Sequence, residues 1–392
     1  MSLPPPSNHP LSFDANRVET PAYVVDLGLL RRNVTLMGQI QREAGCKILL
    51  ALKGFAMFST FPLLRQYLQG CCASGLHEAL LAHREFGREV HVYCPAYKDK
   101  EMTQILPIAG HLSFNSLAQW QKFRPVVKAF GPGAPSCGLR VNPEISQVEV
   151  ELYNPCSPGC RLGIRAVELE SADLTGLEGL HFHALCEQNS DALENVLRAV
   201  EERFPKFLSQ VKWVNMGGGH HITRSDYDVE RLVRVVREFR ERHGVDVYLE
   251  PGEAVALNTG YLIASVLDIV GVEERTAILD VSATCHMPDV LEMPYRPHIL
   301  DTALPGAEGY PHQYKLGGTS CLAGDVIGEY AFAQPLEIGQ RLVFTDMGHY
   351  TMVKTTTFNG VPHPSIAFYE PENDELRVVR QFGYEDFRNR LS

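Results

Sequence analysis

The chain has 392 residues and a formal net charge of −11, which argues against nucleic acid or an anionic membrane as partner and suits a cationic small molecule. Hydrophobic residues make up 45% and charged residues 21%, ordinary proportions for a globular chain long enough to hold two or three domains around large cores.

The leader Met1–Pro10 is proline-rich and has no apolar signal region, and no uninterrupted apolar run reaches membrane-spanning length. Ten cysteines form no even framework, so reduced thiols and a cytoplasmic location are expected. Ala22–Asp26 reads as a strand. From about residue 46 to residue 252, short apolar runs alternate with helix-patterned stretches. The runs are Lys47–Lys53, Cys71–Ser74, Val90–Pro95, His111–Asn115, Cys137–Pro143, Leu177–Leu185, Val211–Gly217 and Asp246–Gly252. Between them, stretches such as Gly75–His83, Ala192–Leu208 and Asp226–His243 repeat apolar residues at three and four, the helical period. Eight such units predict an α/β fold, a (β/α)8 TIM barrel over about 30–255. The weakest stretch for a helix lies between the fifth and sixth strands.

After Gly252 the pattern changes. Tyr261–Val270, Thr276–Ser282, Gln340–Asp346 and Glu375–Arg380 read as strands divided by Gly/Pro turns, with no long amphipathic helix. An all-β C-terminal domain over 256–392 is expected, joined by the N-terminal strand region 12–29.

In a barrel the carboxyl ends of the strands form one surface. In order they offer Lys53, Ser74, Pro95, Asn115, Arg140 with Asn142, His183, Gly217-Gly218-Gly219 and Glu250. A lysine can bond covalently to a carbonyl, and a histidine can stack on a flat ring. Consecutive glycines expose N–H groups to a phosphate, and a glutamate can pair with a protonated ring nitrogen. Together these are the requirements of pyridoxal 5'-phosphate. His220 and His221 have no third ligand at suitable spacing, so no metal is expected.

Ala51-Leu-Lys-Gly54, Cys160-Arg-Leu-Gly-Ile164, His181-Phe-His183, Met216–Gly219, Glu250-Pro-Gly252, Cys321-Leu-Ala-Gly-Asp325 and Tyr350 resemble the fold-type III pyridoxal-phosphate decarboxylases, which include ornithine, arginine and diaminopimelate decarboxylases. Within that family, His181–Glu187, Glu250–Ala254, Gly318–Asp325 and Met347–Gly360 are most similar to the branch acting on carboxynorspermidine and carboxyspermidine. The resemblance runs from about residue 20 to the C-terminus.

The resemblance implies that Lys53 anchors the cofactor, His183 stacks on its ring and Glu250 pairs with its ring nitrogen. It places the phosphate on Gly218 and Gly219, with Tyr350 reaching the same group. Cys321 is implied as the acid that returns a proton to the α-carbon, supplied by the partner subunit of a homodimer with shared active sites. Two departures matter. Glu253 stands where many relatives have an arginine facing the phosphate; a carboxylate is repelled there and is expected to face the substrate. Leu322 follows Cys321 where relatives carry an acid for a distal amine, so that charge is expected from Asp325, Asp289 or Glu292.

The reading is decarboxylation of a carboxylated polyamine to norspermidine or spermidine. The enzymatic alternative is diaminopimelate or another basic amino acid, against which Leu322 and Glu253 speak; an alanine-racemase reaction fits the Cys321 turn less well. A non-catalytic regulatory relative is the alternative of another class, and it should have lost Lys53 or Cys321. A barrel carrying some other phosphorylated ligand would leave Lys53 unexplained.

Overall fold

Eight short parallel strands close into a barrel in the computed structural model, which describes residues 11–148 and 150–392. The proline-rich leader Met1–Pro10 lies outside the described residues. Strand β1 (Ala22–Asp26) belongs elsewhere. The barrel is built from β2 (Lys47–Ala51), β3 (Gly70–Ala73), β4 (Glu89–Tyr93), β5 (His111–Phe114), β6 (Ser136–Arg140), β7 (Gly179–His181), β8 (Trp213–Asn215) and β9 (Asp246–Leu249), with β9 pairing back to β2. These runs are apolar on both faces because helices such as Leu117–Phe130, Ser190–Arg203 and Val229–His243 cover the outside while side chains fill the inside. Only one helical turn, Ala166–Leu169, and a 3-10 turn at Glu151–Tyr153 lie between β6 and β7, where the sequence pattern was weakest.

The amino end of the barrel is plugged. Trp213 stacks on His111 with centroids 4.4 Å apart, and Tyr248 and His91 close the cluster. The indole N–H donates to Ser136 Oγ at 2.8 Å. Space for the indole comes from Gly138 and Gly179: a Cβ on Gly179 would lie 2.0 Å from the Trp213 ring, and one on Gly138 2.6 Å. Burial holds His111 neutral, its pKa lowered to about 3, with the neighbouring His91 acting the same way.

Every strand ends before its apolar run does. β2 stops at Ala51 and β7 at His181, so Lys53 and His183 sit two residues past their strands, in the turns at the carboxyl end.

The chain divides into two compact units, one of Arg31–Val255 and one combining the described part of Met1–Leu30 with Ala256–Ser392. In the second, β10 (Gly260–Val270) is the axis of a mostly antiparallel sheet, pairing with β1, with β11 (Thr276–Leu279) and with β15 (Arg341–Thr345). The sheet also contains β12 (Thr302–Ala303), β13 (His312–Gly317), β14 (Val326–Phe332), β16 (Ser365–Glu370) and β17 (Glu375–Arg380). Of these only β17 was legible from alternation. Its core packs Tyr23, Leu262, Leu316, Tyr330 and Phe344. Short helical turns, including Ala283–His286 and Asp289–Glu292, interrupt an otherwise β unit. No helix among the described residues is long and apolar enough to cross a membrane.

Candidate active site

Lys53 is exposed at the barrel's carboxyl end, and its turn is locked to that of β9. Ala51 N–H donates to Pro251 O at 3.1 Å, and Gly54 packs so closely on Gly252 that a Cβ there would lie 3.0 Å from its backbone. Lys53, Glu250 and Glu253 therefore belong to one rim.

Glu250 is oriented rather than merely near. Asn215 Nδ2 donates to its Oε1 at 2.5 Å, while Asn215 Oδ1 accepts the Gly217 N–H at 2.9 Å. His181 Nε2 stands 3.6 Å from the other carboxylate oxygen. Burial, then the positive charges of Arg140 and others, holds His181 well below the usual histidine range, so this partner is neutral.

His183 is neutral for the same first reason, burial, with the charge of Lys53 next in size. Its Nδ1 accepts the Gly218 N–H at 2.9 Å. Gly218, expected at the phosphate with Gly219, here gives its amide to the histidine ring. Gly217 is taken by Asn215, which leaves Gly219 as the amide of the three that neither side chain engages. The glycines are required by space, since a Cβ on Gly218 would meet Glu250 O at 2.4 Å and one on Gly219 would meet Leu185 O at 2.0 Å. His220, which follows the glycines, is buried, and burial lowers its pKa to about 4, opposed by the backbone of Met216 and Gly217.

The Cys160–Ile164 turn is tied to the same barrel end. Asn115 Oδ1 accepts the Gly163 N–H at 2.7 Å and the Tyr93 hydroxyl at 2.7 Å, while Arg140 lies over the Tyr93 ring at 4.6 Å.

In the sheet unit, Cys321 is the exposed thiol among the ten cysteines. Its N–H donates to Asn359 Oδ1 at 2.7 Å. Asp325 does not have the role the sequence suggested. It is buried and accepts from Ser282 Oγ (2.8 Å), Ser320 N (3.1 Å) and Thr284 N (3.2 Å), which fastens the Cys321 turn and leaves its carboxylate committed. Asp289 and Glu292 converge on one ammonium of this chain, that of Lys354: Glu292 lies 2.9 Å from Nζ and Asp289 closer still. As the structure stands, both therefore neutralise an internal cation. Tyr350 lies in the loop after β15 with a left-handed backbone, φ 47°, and its carbonyl accepts the Lys354 N–H at 3.0 Å.

Residues 22–348 match the family described as pyridoxal-dependent decarboxylase, C-terminal sheet domain. The chain belongs to this decarboxylase family. It is 46% identical over 380 residues to a carboxynorspermidine/carboxyspermidine decarboxylase of Campylobacter jejuni, covering 95% of this chain and 98% of that one. It is 48% identical over 374 residues to a carboxyaminopropylagmatine decarboxylase of Synechocystis, covering 95% of each. Among solved structures, carboxynorspermidine decarboxylase from Campylobacter jejuni complexed with norspermidine superposes with a TM-score of 0.88 at 45% identity, over 95% of this chain and all of that one.

The resemblance read from the motifs, the barrel-plus-sheet fold and the decarboxylase class are all borne out. Two residues of this decarboxylase had no assigned role in the sequence. Glu187 follows the His181–Cys186 segment with φ 52°, an uncommon conformation for a glutamate. Its carboxylate, that of Glu253 and a ring nitrogen of His221 all lie within 4.8 Å of one another. Spacings of 34 and 32 residues concealed this, and the expectation that no third group would stand beside His221 is corrected. Asn215, which orients Glu250, was hidden because an asparagine ending an apolar run looks like a turn residue.

Proposed function

We propose that this chain decarboxylates a carboxylated polyamine, carboxynorspermidine or carboxyspermidine, with pyridoxal 5'-phosphate as cofactor. The observation that carries the reading is the rim on which Lys53, His183 and an oriented Glu250 come together beside three glycines too confined for any Cβ. That set fits the cofactor: a lysine for its carbonyl carbon, a neutral histidine ring for its face, a fixed carboxylate for its ring nitrogen and a bare amide at Gly219 for its phosphate. Tyr350 is assigned to the same phosphate. The bound cofactor supplies an electron sink for the pair left at the α-carbon when carbon dioxide departs.

The residues of the chain do the rest. Glu250, held by Asn215, keeps the ring-nitrogen proton in place, and His183 presents a neutral face that adds no competing charge. Cys321 carries a proton on Sγ for return to the α-carbon. We assign it to the centre of a second copy, in a homodimer with shared sites; its exposure supports that reading. Glu253 is assigned to a substrate amine, because a carboxylate beside a phosphate is repelled.

A second reading keeps the cofactor and changes the far end of the substrate, a guanidinium in place of an ammonium. The 48% identity with the carboxyaminopropylagmatine enzyme favours it. Diaminopimelate is disfavoured, since its far carboxylate would meet Glu253.

Product analysis of the cofactor-loaded protein, offered carboxynorspermidine, carboxyspermidine, carboxyaminopropylagmatine, diaminopimelate, ornithine and arginine side by side, tests the proposal. Turnover of the carboxylated polyamines is expected; turnover of a simple amino acid alone would overturn the substrate while keeping the chemistry.

A further inference from the structure

Glu187 and Glu253 come from the turns after β7 and β9, yet their carboxylates meet beside one histidine. His221 is 2% exposed, its Nε2 makes no hydrogen bond, and that nitrogen is 3.4 Å from Glu253 Oε1. Two acids and an imidazole could in principle hold a divalent metal. The other side of the ring argues against it. His221 Nδ1 faces Arg224 Nη1 at 3.3 Å, and a guanidinium only donates. Nδ1 must then be the acceptor, and a ring proton sits on Nε2, the nitrogen that stands 3.4 Å from Glu253 Oε1. A metal would need a lone pair on Nε2, which forces an N–H on Nδ1 against the N–H of Arg224. The histidine therefore orients a carboxylate and does not ligate an ion.

The pair also lies at the reacting centre. Burial first, then the charges of Glu187 and Glu253, pushes the Cys186 thiol up to about 12, and Lys53 pulls it the other way; one sulfur senses all three groups. The Gly54 position, next to Lys53, is 3.2 Å from Glu253 N when given a Cβ. Glu253 thus starts from backbone packed against the turn that carries Lys53.

We infer that Glu187 and Glu253, with Glu253 oriented by His221, form a receptor for the secondary ammonium in the middle of the substrate. This rests on the polyamine reading above and deepens it. In a carboxylated triamine the secondary nitrogen is separated from the reacting carbon by two methylenes, whereas ornithine and diaminopimelate have no cation at a middle position. The site thus selects for the internal amine that carboxynorspermidine, carboxyspermidine and carboxyaminopropylagmatine share, and leaves the choice of terminal group to other residues. The far carboxylate of diaminopimelate would be repelled.

Calorimetry on the cofactor-loaded protein tests this with two probes of equal length, norspermidine and heptane-1,7-diamine, in which a methylene replaces the central N–H. The wild type should prefer norspermidine by about tenfold or more, as expected for a hydrogen bond between charged groups. In Glu187→Gln and in Glu253→Gln that preference should collapse toward equality while the diamine's own affinity is kept. Norspermidine preference that survives in both variants, or is missing in the wild type while both probes bind, overturns the inference and leaves the polyamine reading standing. Binding of neither probe by wild type, together with turnover of a simple amino acid, would instead remove the polyamine reading. Saturable binding of Mn2+ or Zn2+ alone, lost in Glu187→Gln, would make this a metal site and also overturn the inference. Glu187 is exposed, so its isosteric variant tests the site even if Glu253→Gln fails to fold.

Discussion

His183 takes the Gly218 amide on Nδ1 at 2.9 Å, so the proton of its neutral ring is on Nε2. The bond links the stacking residue to the glycine run through the backbone, and it makes Gly218 a positioning residue. Gly218→Ala would drive a Cβ to 2.4 Å from Glu250 O, disturbing the histidine and the glutamate together. Pyridoxal-phosphate affinity, read by absorbance titration, should fall by about tenfold to a hundredfold, the range that overpacking costs. An unchanged affinity would show that the two groups are not coupled through residue 218.

Lys53→Ala should abolish the visible absorbance of the covalently held cofactor, because the rim offers no other lysine assigned to that bond. A retained visible band with the variant would move the anchor to another side chain.

Asn215→Asp keeps the acceptor for the Gly217 N–H but replaces the Nδ2 donor with a carboxylate oxygen 2.5 Å from Glu250. Two acids at that separation share a proton. Turnover should drop by about one to two orders of magnitude with the fold intact, since a hydrogen bond to a charged group is worth about 1.5–3 kcal/mol. Wild-type kinetics in this variant would mean that Glu250 needs no orientation.

Asp325→Ala should loosen the Cys321 turn, leaving Ser282, Thr284 and Ser320 without their shared acceptor. The expected loss is about 2–4 kcal/mol of stability, as for buried hydrogen bonds to a charge. The alkylation rate of Cys321 should change as well, a readout that a remote structural defect would not move. A normal urea midpoint and normal thiol reactivity would contradict the bracing role.

Acid should destabilise the chain well above the carboxylate range. Burial holds His111 at about 3 and both His220 and His286 at about 4, whereas an unfolded histidine titrates near 6.5. Between those values the unfolded chain binds more protons, so the stability held above about pH 6.5 drains as pH falls toward 4. At pH 5 each histidine costs about 2 kcal/mol if its surroundings do not relax. Urea midpoints at pH 7.5 and pH 5 measure this; equal midpoints would show that the rings are hydrated on acidification.

The barrel was legible because its strands are short and buried on both faces, and because residues the cofactor needs (Lys53, His183, Gly217–Gly219 and Glu250) followed four of the eight runs. The sheet was less so. β13, β14 and β16 mix glycine, lysine and glutamate with their apolar positions, and partnership across the sheet, not local pattern, makes them strands. In the site, Lys53, His183 and Glu250 could be named from chemistry alone. Asp325 and the Asp289–Glu292 pair could not be judged, because what occupies a carboxylate comes from far along the chain: Ser282 lies 43 residues from Asp325, and Lys354 lies 65 and 62 residues from the two acids. Glu187 was hidden for the same reason, its companions being a histidine and a glutamate on other strands' turns.

The indole that plugs the barrel has an evolutionary corollary. Positions 138, 179 and 213 share one volume, so none can change size alone. A relative that carries alanine or serine at 179 should carry a smaller side chain than tryptophan at 213, and drift at this end is confined to correlated exchanges. The catalytic rim has no stake in those exchanges, which leaves the two ends of the same eight strands free to evolve under separate constraints.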